Sequence, residues 1–177
     1  VAAGFKMNGA IGVCQTEDRR REWLRGAAMA GNFGVEMYEI SMQEAEKMVP
    51  GMATDDLVAA FYLPNDGITD PVGTAQALAK GAKLGGAQII EGIKVTDIKV
   101  ENGVIKGVST DQGDIAAEYV VNCAGMWSRA LGQKIGVSLP LLAAEHMHAI
   151  TLPIEGLKKS FPTVRDFDGY SYFKEES

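Results

Sequence analysis

The segment Tyr119–Ser128, which reads Tyr-Val-Val-Asn-Cys-Ala-Gly-Met-Trp-Ser, constrains the fold more than any other part of the chain. Its apolar first half predicts a short buried strand that stops at Ala124 and Gly125. Residues this small leave room for another backbone or a flat ligand. A helix is predicted to begin at Met126 or Trp127 and to run to about Ile135. A strand, a small-residue turn and a helix N-terminus together form the usual ligand crevice of an α/β sheet.

Capping residues predict three helices in the first half of the chain. Thr16 precedes an acidic first turn, and Ser41-Met-Gln-Glu44 is a capping box. Asp70 is a good N-cap, and Pro71 suits the first helical position because its missing amide hydrogen would be unpaired there.

Alternation and turn residues predict the strands. Asn102-Gly103 and Gln112-Gly113 favour tight hairpins, since such turns need residues that accept a positive φ. The predicted strands are Val35–Ile40, Leu57–Leu63, Val95–Val100, Val104–Thr110, Asp114–Ala117, Tyr119–Cys123, Ala144–Leu152 and Gly169–Glu175, with a loop at Pro153–Asp168. Helices and strands mixed in this way indicate an α/β fold with α+β character.

Charge and composition exclude several classes of function. The net charge of -6 argues against nucleic-acid binding, which needs a basic face. Arg19-Arg20-Arg21 lies among acidic residues, so we interpret it as a solvated helix face. No apolar run approaches the roughly 20 residues that span a bilayer, and no signal peptide is visible. Cys14 and Cys123 are interpreted as small buried thiols, with no disulfide or metal site indicated.

Three motifs together resemble the D-amino-acid-oxidase-like FAD-dependent amine oxidoreductases. They are Asp66-Gly-Ile-Thr-Asp-Pro71, Lys94-Val-Thr96 and Val120-Val-Asn-Cys-Ala-Gly-Met-Trp127. Ala124–Arg129 followed by Leu139–His146 is most similar to the dimethylglycine and sarcosine dehydrogenase subgroup. The chain begins at Val1 without an initiator Met and ends at Ser177 just after a predicted strand, so we expect a piece of a larger protein.

The resemblance implies a fragment of a Rossmann-like FAD-binding domain interleaved with a mixed-sheet substrate domain. Residues 66–136 would belong to the FAD domain, and residues 1–65 and 137–177 to the substrate domain. The pyrophosphate-binding glycine turn and the histidine that attaches FAD covalently would lie before Val1. A folate-binding domain that uses tetrahydrofolate would follow Ser177, as in many members. The fragment alone is expected to be inactive.

The resemblance also assigns cofactor contacts. Val95 maps to the position whose backbone meets the adenine end of FAD, and Trp127 to one that shields the diphosphate and ribose. Ala124 and Gly125 would be small to allow close approach of the cofactor. Without the resemblance, Val95 would be an ordinary core valine, and Trp127 an aromatic residue that anchors a helix.

Two residues match catalytic positions of the subgroup. His146 aligns with its active-site histidine, whose near-neutral pKa suits it to hold the proton of an alkylammonium substrate. Tyr172 matches its active-site tyrosine, with Tyr170 on the same predicted strand face as the register alternative. His148 would share a face with His146, but no third ligand completes a metal site. The carboxylate-binding arginine is not identified, and Arg165 falls in a predicted loop.

The implied reaction is oxidation of a small N-methyl amino acid, dimethylglycine or sarcosine, with FAD as hydride acceptor and an unidentified electron acceptor. Two alternatives stay open. One is an amine oxidase of the glycine oxidase or sarcosine oxidase type, and the other is a non-catalytic flavoprotein-like subunit. The expected location is the cytoplasm or the mitochondrial matrix, with no membrane or nucleic-acid partner.

Overall fold

The computed structural model describes residues 3–176, which divide into two compact units. The first unit contains the described residues up to Gly86 together with those from Ile150 onward, and the second contains Ala87–Ala149. The elements are β1 (Ala10–Cys14), α1 (Glu17–Asn32), β2 (Tyr38–Ile40), α2 (Met42–Met48), β3 (Ala59–Leu63), α3 (Pro71–Leu84), β4 (Val95–Glu101), β5 (Val104–Thr110), β6 (Gly113–Ala116), a 3-10 helix (Gly125–Trp127), α4 (Ser128–Gln133), β7 (Thr163–Asp166) and β8 (Ser171–Phe173). The mixed α/β class predicted from the sequence is confirmed.

The predicted helix starts are confirmed in the first unit. The Thr16 hydroxyl accepts the Arg19 amide at 3.2 Å, and the capping box of Ser41 and Glu44 forms in both directions. Asp70 accepts the amides of the second and third helical residues of α3, and Pro71 occupies the first position. These caps satisfy amide groups that a helix leaves unpaired at its N-terminus.

The first unit contains a mixed sheet in the order β2-β3-β1-β7-β8. β1 pairs antiparallel with β3 and parallel with β7, with Ala10 opposite Thr163. β7 lies within the segment 153–168, so the prediction of a continuous loop there is wrong. The cause is a pairing between residues 153 positions apart, which local sequence patterns do not reveal.

The register of this sheet places four residues of neighbouring strands in one row. Phe61 lies opposite Gly12, Gly12 opposite Arg165, and Arg165 opposite Tyr172. Residues that lie opposite each other project to the same face of a sheet. We call this the α1 face, because Trp23 of α1 packs on it against Phe61, with ring centroids 5.5 Å apart.

The opposite face of the same sheet carries the larger core. Ile11, Val13 and Val164 are buried there and pack with Ala45 of α2 and with Phe161. Apolar burial is the main stabilising term in folding. This cluster therefore determines which side chains of each strand project into the larger core.

We predict that Gly12→Ala destabilises the protein, because a Cβ on Gly12 would overlap the Trp23 ring. Overpacking of this kind costs about 1–3 kcal/mol. The matched control is Gly26→Ala on α1, where a Cβ would meet no atom within 4 Å and helix propensity predicts a gain of about 0.5–1 kcal/mol. Thermal unfolding of the full-length protein measures both, and equal shifts for the two variants would contradict the packing of Trp23 on Gly12.

The second unit contains the three-stranded antiparallel sheet β4-β5-β6, as the hairpin signals predict. Asn102 and Gly103 turn the chain between β4 and β5 with φ values of 51° and 77°. An asparagine and a glycine adopt this left-handed conformation at least cost.

Two predicted strands do not form. Tyr119–Cys123 and Ala144–Leu152 have no regular secondary structure, and most of their residues are exposed. A strand requires a neighbour that pairs its backbone groups, and within residues 3–176 no strand pairs with either segment. The last predicted strand is shorter than expected, because β8 covers only Ser171–Phe173.

Candidate functional site

The turn after Tyr119–Cys123 is held by the side chain of Asn122, which the sequence reasoning did not single out. Its Oδ1 accepts the Ala124 amide at 3.2 Å, and its Nδ2 donates to the Ser128 carbonyl oxygen at 3.0 Å. Asn122 therefore fixes both ends of the turn. Gly125 lies at its centre with a φ of 56°, and a Cβ there would meet no atom within 4 Å.

The helix that follows this turn is shorter than predicted. It begins as the 3-10 helix Gly125–Trp127 and continues as α4 to Gln133, whereas the sequence predicted a helix to about Ile135. Trp127 is 70 % exposed, so its ring does not anchor the helix to a sheet in this unit. Lys134 donates from Nζ to the Thr96 carbonyl oxygen at 2.7 Å, which ties the end of α4 to β4.

The second unit thus contains all four residues predicted to contact the cofactor. Ala124, Gly125 and Trp127 form one turn, and Val95 is the first residue of β4, an edge strand. Val95 is 41 % exposed within the part of the chain that the structure describes. The space at Gly125 is open, Trp127 and Val95 are exposed, and Ala124 is half-buried.

His146 also belongs to the second unit, in the segment without regular structure, and its side chain is exposed. The prediction that His146 and His148 share a strand face is therefore wrong. Among residues 3–176, no three His, Cys, Asp or Glu side chains are grouped closely enough to hold a metal ion.

Tyr172 lies in the first unit, on β8, with its side chain on the α1 face. It is 58 % exposed, whereas Tyr170 is 96 % exposed and adopts a φ of 53° in the turn before β8. The prediction that the two tyrosines share a strand face is wrong. Tyr172 alone is fixed by the pairing of β8 with β7.

A groove of about 350 Å³ lies on the α1 face beside Arg165. We call it the α1 groove. Its floor is the sheet at Ala10, Gly12 and Leu63, and its other lining residues are Arg19, Glu22, Trp23, Gly26, Met37, Asp66, Arg165 and Phe167. Trp23 and Phe167 form an aromatic wall, with ring centroids 5.7 Å apart.

The two arginines of the α1 groove differ in how closely carboxylates pair with their guanidinium groups. Arg19 donates to Asp168 at 2.9 Å and to Glu22 at 2.7 Å. Arg165 has an ion pair with Asp66, but its Nη2 lies 3.6 Å from Asp66 Oδ2, which is too long for a hydrogen bond. The sequence predicts a loop at Arg165, but this residue lies on β7.

Asp168 joins the β7–β8 turn to the start of α1. Its carboxylate accepts the Gln15 amide at 3.0 Å as well as the Arg19 guanidinium. The side chain of Gln15 donates to Asp166 at 2.9 Å, and Asp166 in turn accepts the amides of Asp168 and Gly169. The hydrogen bond from Arg19 lowers the pKa of Asp168 below its ordinary value, and the Gln15 amide adds to this effect.

We predict that Asp168→Asn lowers the thermal stability of the protein near neutral pH and that the loss shrinks in acid. Because the folded-state pKa of Asp168 is lowered, its stabilisation is present above the ordinary pKa of 3.8 and is lost as the pH falls through the folded value. Unfolding temperatures of both proteins between pH 7 and pH 3 measure this difference. A gap that stays constant with pH would show that the carboxylate charge is not involved.

The two cysteines differ in their environment. Cys14 is fully buried on β1, as predicted, and burial raises its pKa to about 11, with a further contribution from Asp168. Cys123 is exposed, so the prediction that it is buried is wrong. The reason is that the segment before it does not form the expected buried strand.

The family model for FAD dependent oxidoreductase, named DAO, matches residues 1–176. Mitochondrial sarcosine dehydrogenase from Homo sapiens is 39% identical over 97% of this chain and 19% of its own length. Mitochondrial dimethylglycine dehydrogenase from Homo sapiens is 32% identical, over 98% of this chain and 20% of its length. The chain therefore spans about one fifth of the length of these curated relatives.

Two further similarities bear on function. The mitochondrial pyruvate dehydrogenase phosphatase regulatory subunit from Mus musculus is 33% identical over 98% of this chain and 20% of its own length. Among solved structures, the L-proline dehydrogenase from P. horikoshii superposes with a TM-score of 0.75 at 28% identity, over 95% of this chain and 46% of that one. In the part of the chain that the structure describes, no helix is both long and apolar enough to cross a membrane.

Proposed function

The chain belongs to the DAO family of FAD dependent oxidoreductases, and from that premise we propose that the protein oxidatively demethylates an N-methyl amino acid, either sarcosine or dimethylglycine. The observation that carries this proposal is the 39% identity with human sarcosine dehydrogenase over nearly the whole chain. The relation to dimethylglycine dehydrogenase points to the same group of substrates.

The open turn in the second unit fits the cofactor of the family. A flat group can approach Gly125 because nothing lies where its Cβ would be, and the exposed Trp127 ring can cover such a group. We propose that Ala124, Gly125, Trp127 and the start of β4 at Val95 hold FAD. When bound, FAD would supply the hydride acceptor for the reaction.

We propose one proton-handling role and one positioning role for side chains of this chain. His146 would hold the proton that the substrate ammonium must lose, so that the nitrogen lone pair can assist departure of hydride from the methyl carbon. The Tyr172 hydroxyl would hydrogen-bond the substrate and orient it. The oxidised substrate would then react with water to release formaldehyde and the demethylated amine.

The proposal also covers the compartment of the protein and the fate of the one-carbon unit. The sarcosine and dimethylglycine dehydrogenases named above are mitochondrial, so the mitochondrial matrix is the proposed compartment. Tetrahydrofolate would accept the one-carbon unit in a domain outside the present sequence. Free formaldehyde would then be formed only when tetrahydrofolate is absent.

A non-catalytic regulatory subunit is the second candidate function. It is supported by the 33% identity with the regulatory subunit of pyruvate dehydrogenase phosphatase over 98% of this chain and 20% of that subunit. Such a subunit would keep the fold of the family without turning over an amine.

Steady-state assays of the full-length protein separate these functions. The substrates would be dimethylglycine, sarcosine, glycine and proline, with formaldehyde and reduced electron-acceptor dye measured together. We expect formaldehyde in equal amount to reduced dye from one of the two N-methyl substrates. Dye reduction with glycine or proline alone would indicate another amine oxidase of the family, and no reduction with any substrate would favour the regulatory function.

A further inference from the structure

We infer that a group of four side chains at the turn between β7 and β8 positions Tyr172, with Asp168 as the positioning residue at its centre. The four side chains are those of Gln15, Arg19, Asp166 and Asp168, and we call them the turn clamp. The inference rests on the proposed function, because it concerns the tyrosine that is proposed there to orient the substrate. The turn clamp would affect the reaction only through the place that it gives to the Tyr172 hydroxyl.

The strand that carries Tyr172 needs support from outside its own pairing. β8 is an edge strand of three residues, and within residues 3–176 its one neighbour in the sheet is β7. All three residues are exposed, so little apolar burial stabilises the strand. A slip of one residue in its pairing would turn Tyr172 from the α1 face to the opposite face. The position of the hydroxyl therefore depends on how the preceding turn is held.

The hydrogen bonds of the turn clamp fix this turn to the central part of the unit. Asp166 Oδ1 accepts the amides of Asp168 and Gly169 at 3.1 and 2.8 Å, which closes the turn. The Asp168 carboxylate accepts the Gln15 amide at 3.0 Å and Arg19 Nε at 2.9 Å. The Gln15 side chain donates to Asp166 at 2.9 Å. Since Gln15 directly follows β1, the turn is tied to a strand in the middle of the sheet.

The backbone at Tyr170 shows that the turn is held against a local cost. Tyr170 has a φ of 53°, a left-handed conformation that is unfavourable for a bulky residue. Its side chain is 96 % exposed, so its own packing does not compensate for this cost. Such a conformation persists where the surrounding contacts determine it. The hydrogen bonds of Asp166 and Asp168 are contacts of this kind, two to four residues before the first residue of the strained pair of turn and strand.

Asp168 is the member of the turn clamp that a substitution tests most directly. Its side chain is 17 % exposed and binds the backbone before α1 as well as a side chain of α1. Hydrogen bonds to an ionised carboxylate are roughly twice as strong as neutral ones. Asparagine has almost the same shape, but its amide nitrogen replaces one of the two accepting oxygens. Asp168→Asn therefore removes one of these two bonds and leaves the volume unchanged.

Gly169 offers a second way to disturb the turn clamp, without any change of charge. A Cβ on Gly169 would overlap the Asp166 carboxylate and would lie 3.3 Å from Nε2 of Gln15. Gly169→Ala should therefore displace the hydrogen bond between these two side chains. Gly31→Ala on α1 is its matched control, because a Cβ there would meet no atom within 4 Å.

The test is a double-mutant cycle in the full-length protein, with flavin reduction by the N-methyl substrate followed by stopped flow. We expect Asp168→Asn to slow flavin reduction by about 10- to 100-fold, the effect of a small misplacement in an active site. In a Tyr172→Phe background, the same substitution should slow it by less than about twofold, because the hydroxyl that it positions is gone. Equal factors in the two backgrounds, or no loss in either, would overturn the inference, since general structural damage does not depend on the Tyr172 hydroxyl.

Three further variants complete the cycle. Gly169→Ala should show the same dependence on the Tyr172 hydroxyl, and it decides the inference if Asp168→Asn fails to fold. Arg21→Gln is the matched control for loss of a charge, since Arg21 is exposed on α1 and pairs with Asp18. Arg21→Gln and Gly31→Ala should both leave the rate of flavin reduction unchanged.

Hydrogen exchange separates failure of this inference from failure of the proposed function. If neither sarcosine nor dimethylglycine reduces a flavin in the wild-type protein, the proposed function fails, and amide exchange of Ser171–Phe173 still decides whether the turn clamp holds Tyr172. We expect exchange there to be about 10-fold faster in Asp168→Asn than in Arg21→Gln, because local opening of β8 becomes easier. Equal exchange rates in the two variants would overturn the inference.

Discussion

Replacement of His146 by alanine is expected to lower turnover of the full-length protein by about 100- to 10,000-fold, the range contributed by a positioned acid or base. The reason is that the substrate amine must lose its proton before hydride can leave, and an imidazole takes up protons near neutral pH. Flavin content should stay the same, because the proposed cofactor contacts are other residues.

His148→Ala is the matched control for this result. His148 lies two residues along the same exposed segment, so general damage to that segment should affect both variants. We expect a much smaller loss of turnover in His148→Ala. Equal turnover in His146→Ala and the wild-type protein would remove His146 from the mechanism, and a parallel loss of flavin would point to a structural role.

Tyr172→Phe is expected to lower kcat by about 100-fold, comparable to the removal of one well-placed hydrogen-bond donor from an active site. The substitution removes only the hydroxyl and keeps the ring, so the pairing of β8 with β7 should be unchanged. Stopped-flow measurement of the reductive half-reaction would measure this loss directly.

Tyr170→Phe controls for the register of this strand. Tyr170 lies in the turn before β8 with a positive φ and an almost fully exposed side chain. It should therefore tolerate loss of its hydroxyl with kcat unchanged. A larger loss for Tyr170→Phe than for Tyr172→Phe would mean that the catalytic tyrosine has been assigned two residues too late.

Local chemistry explains which parts of the fold could be predicted from the sequence. The caps at Thr16, Ser41 and Asp70 and the turn at Asn102-Gly103 depend on residues within a few positions of one another. Each stabilises one backbone conformation whatever the rest of the chain does. The three caps predict the helices of the first unit, and the turn predicts the first hairpin of the three-stranded sheet in the second unit.

Long-range pairing explains the parts that could not be predicted. β7 exists because β1 pairs with it across more than 150 residues, and Tyr119–Cys123 remains without a strand because no described strand pairs with it. One local signal was available, since Asp168-Gly169 is a typical hairpin dipeptide. That signal would have placed Arg165 on a strand opposite Tyr172.

The residues of the candidate site also divide into those that local sequence reveals and those that only the folded chain brings together. Ala124, Gly125 and Trp127 could be selected because small residues beside a flat one in a single turn are visible in the sequence. The α1 groove could not be predicted from the sequence, because Trp23, Asp66 and Arg165 are far apart in sequence and meet only on the folded sheet.

The most direct test of the proposed function is the visible spectrum of the full-length protein, recorded without oxygen before and after addition of dimethylglycine or sarcosine. We predict a flavin absorption band that is bleached by one of these two substrates. A flavin band that neither substrate bleaches, or a protein without any flavin band, would contradict the proposal that this protein oxidises N-methyl amino acids.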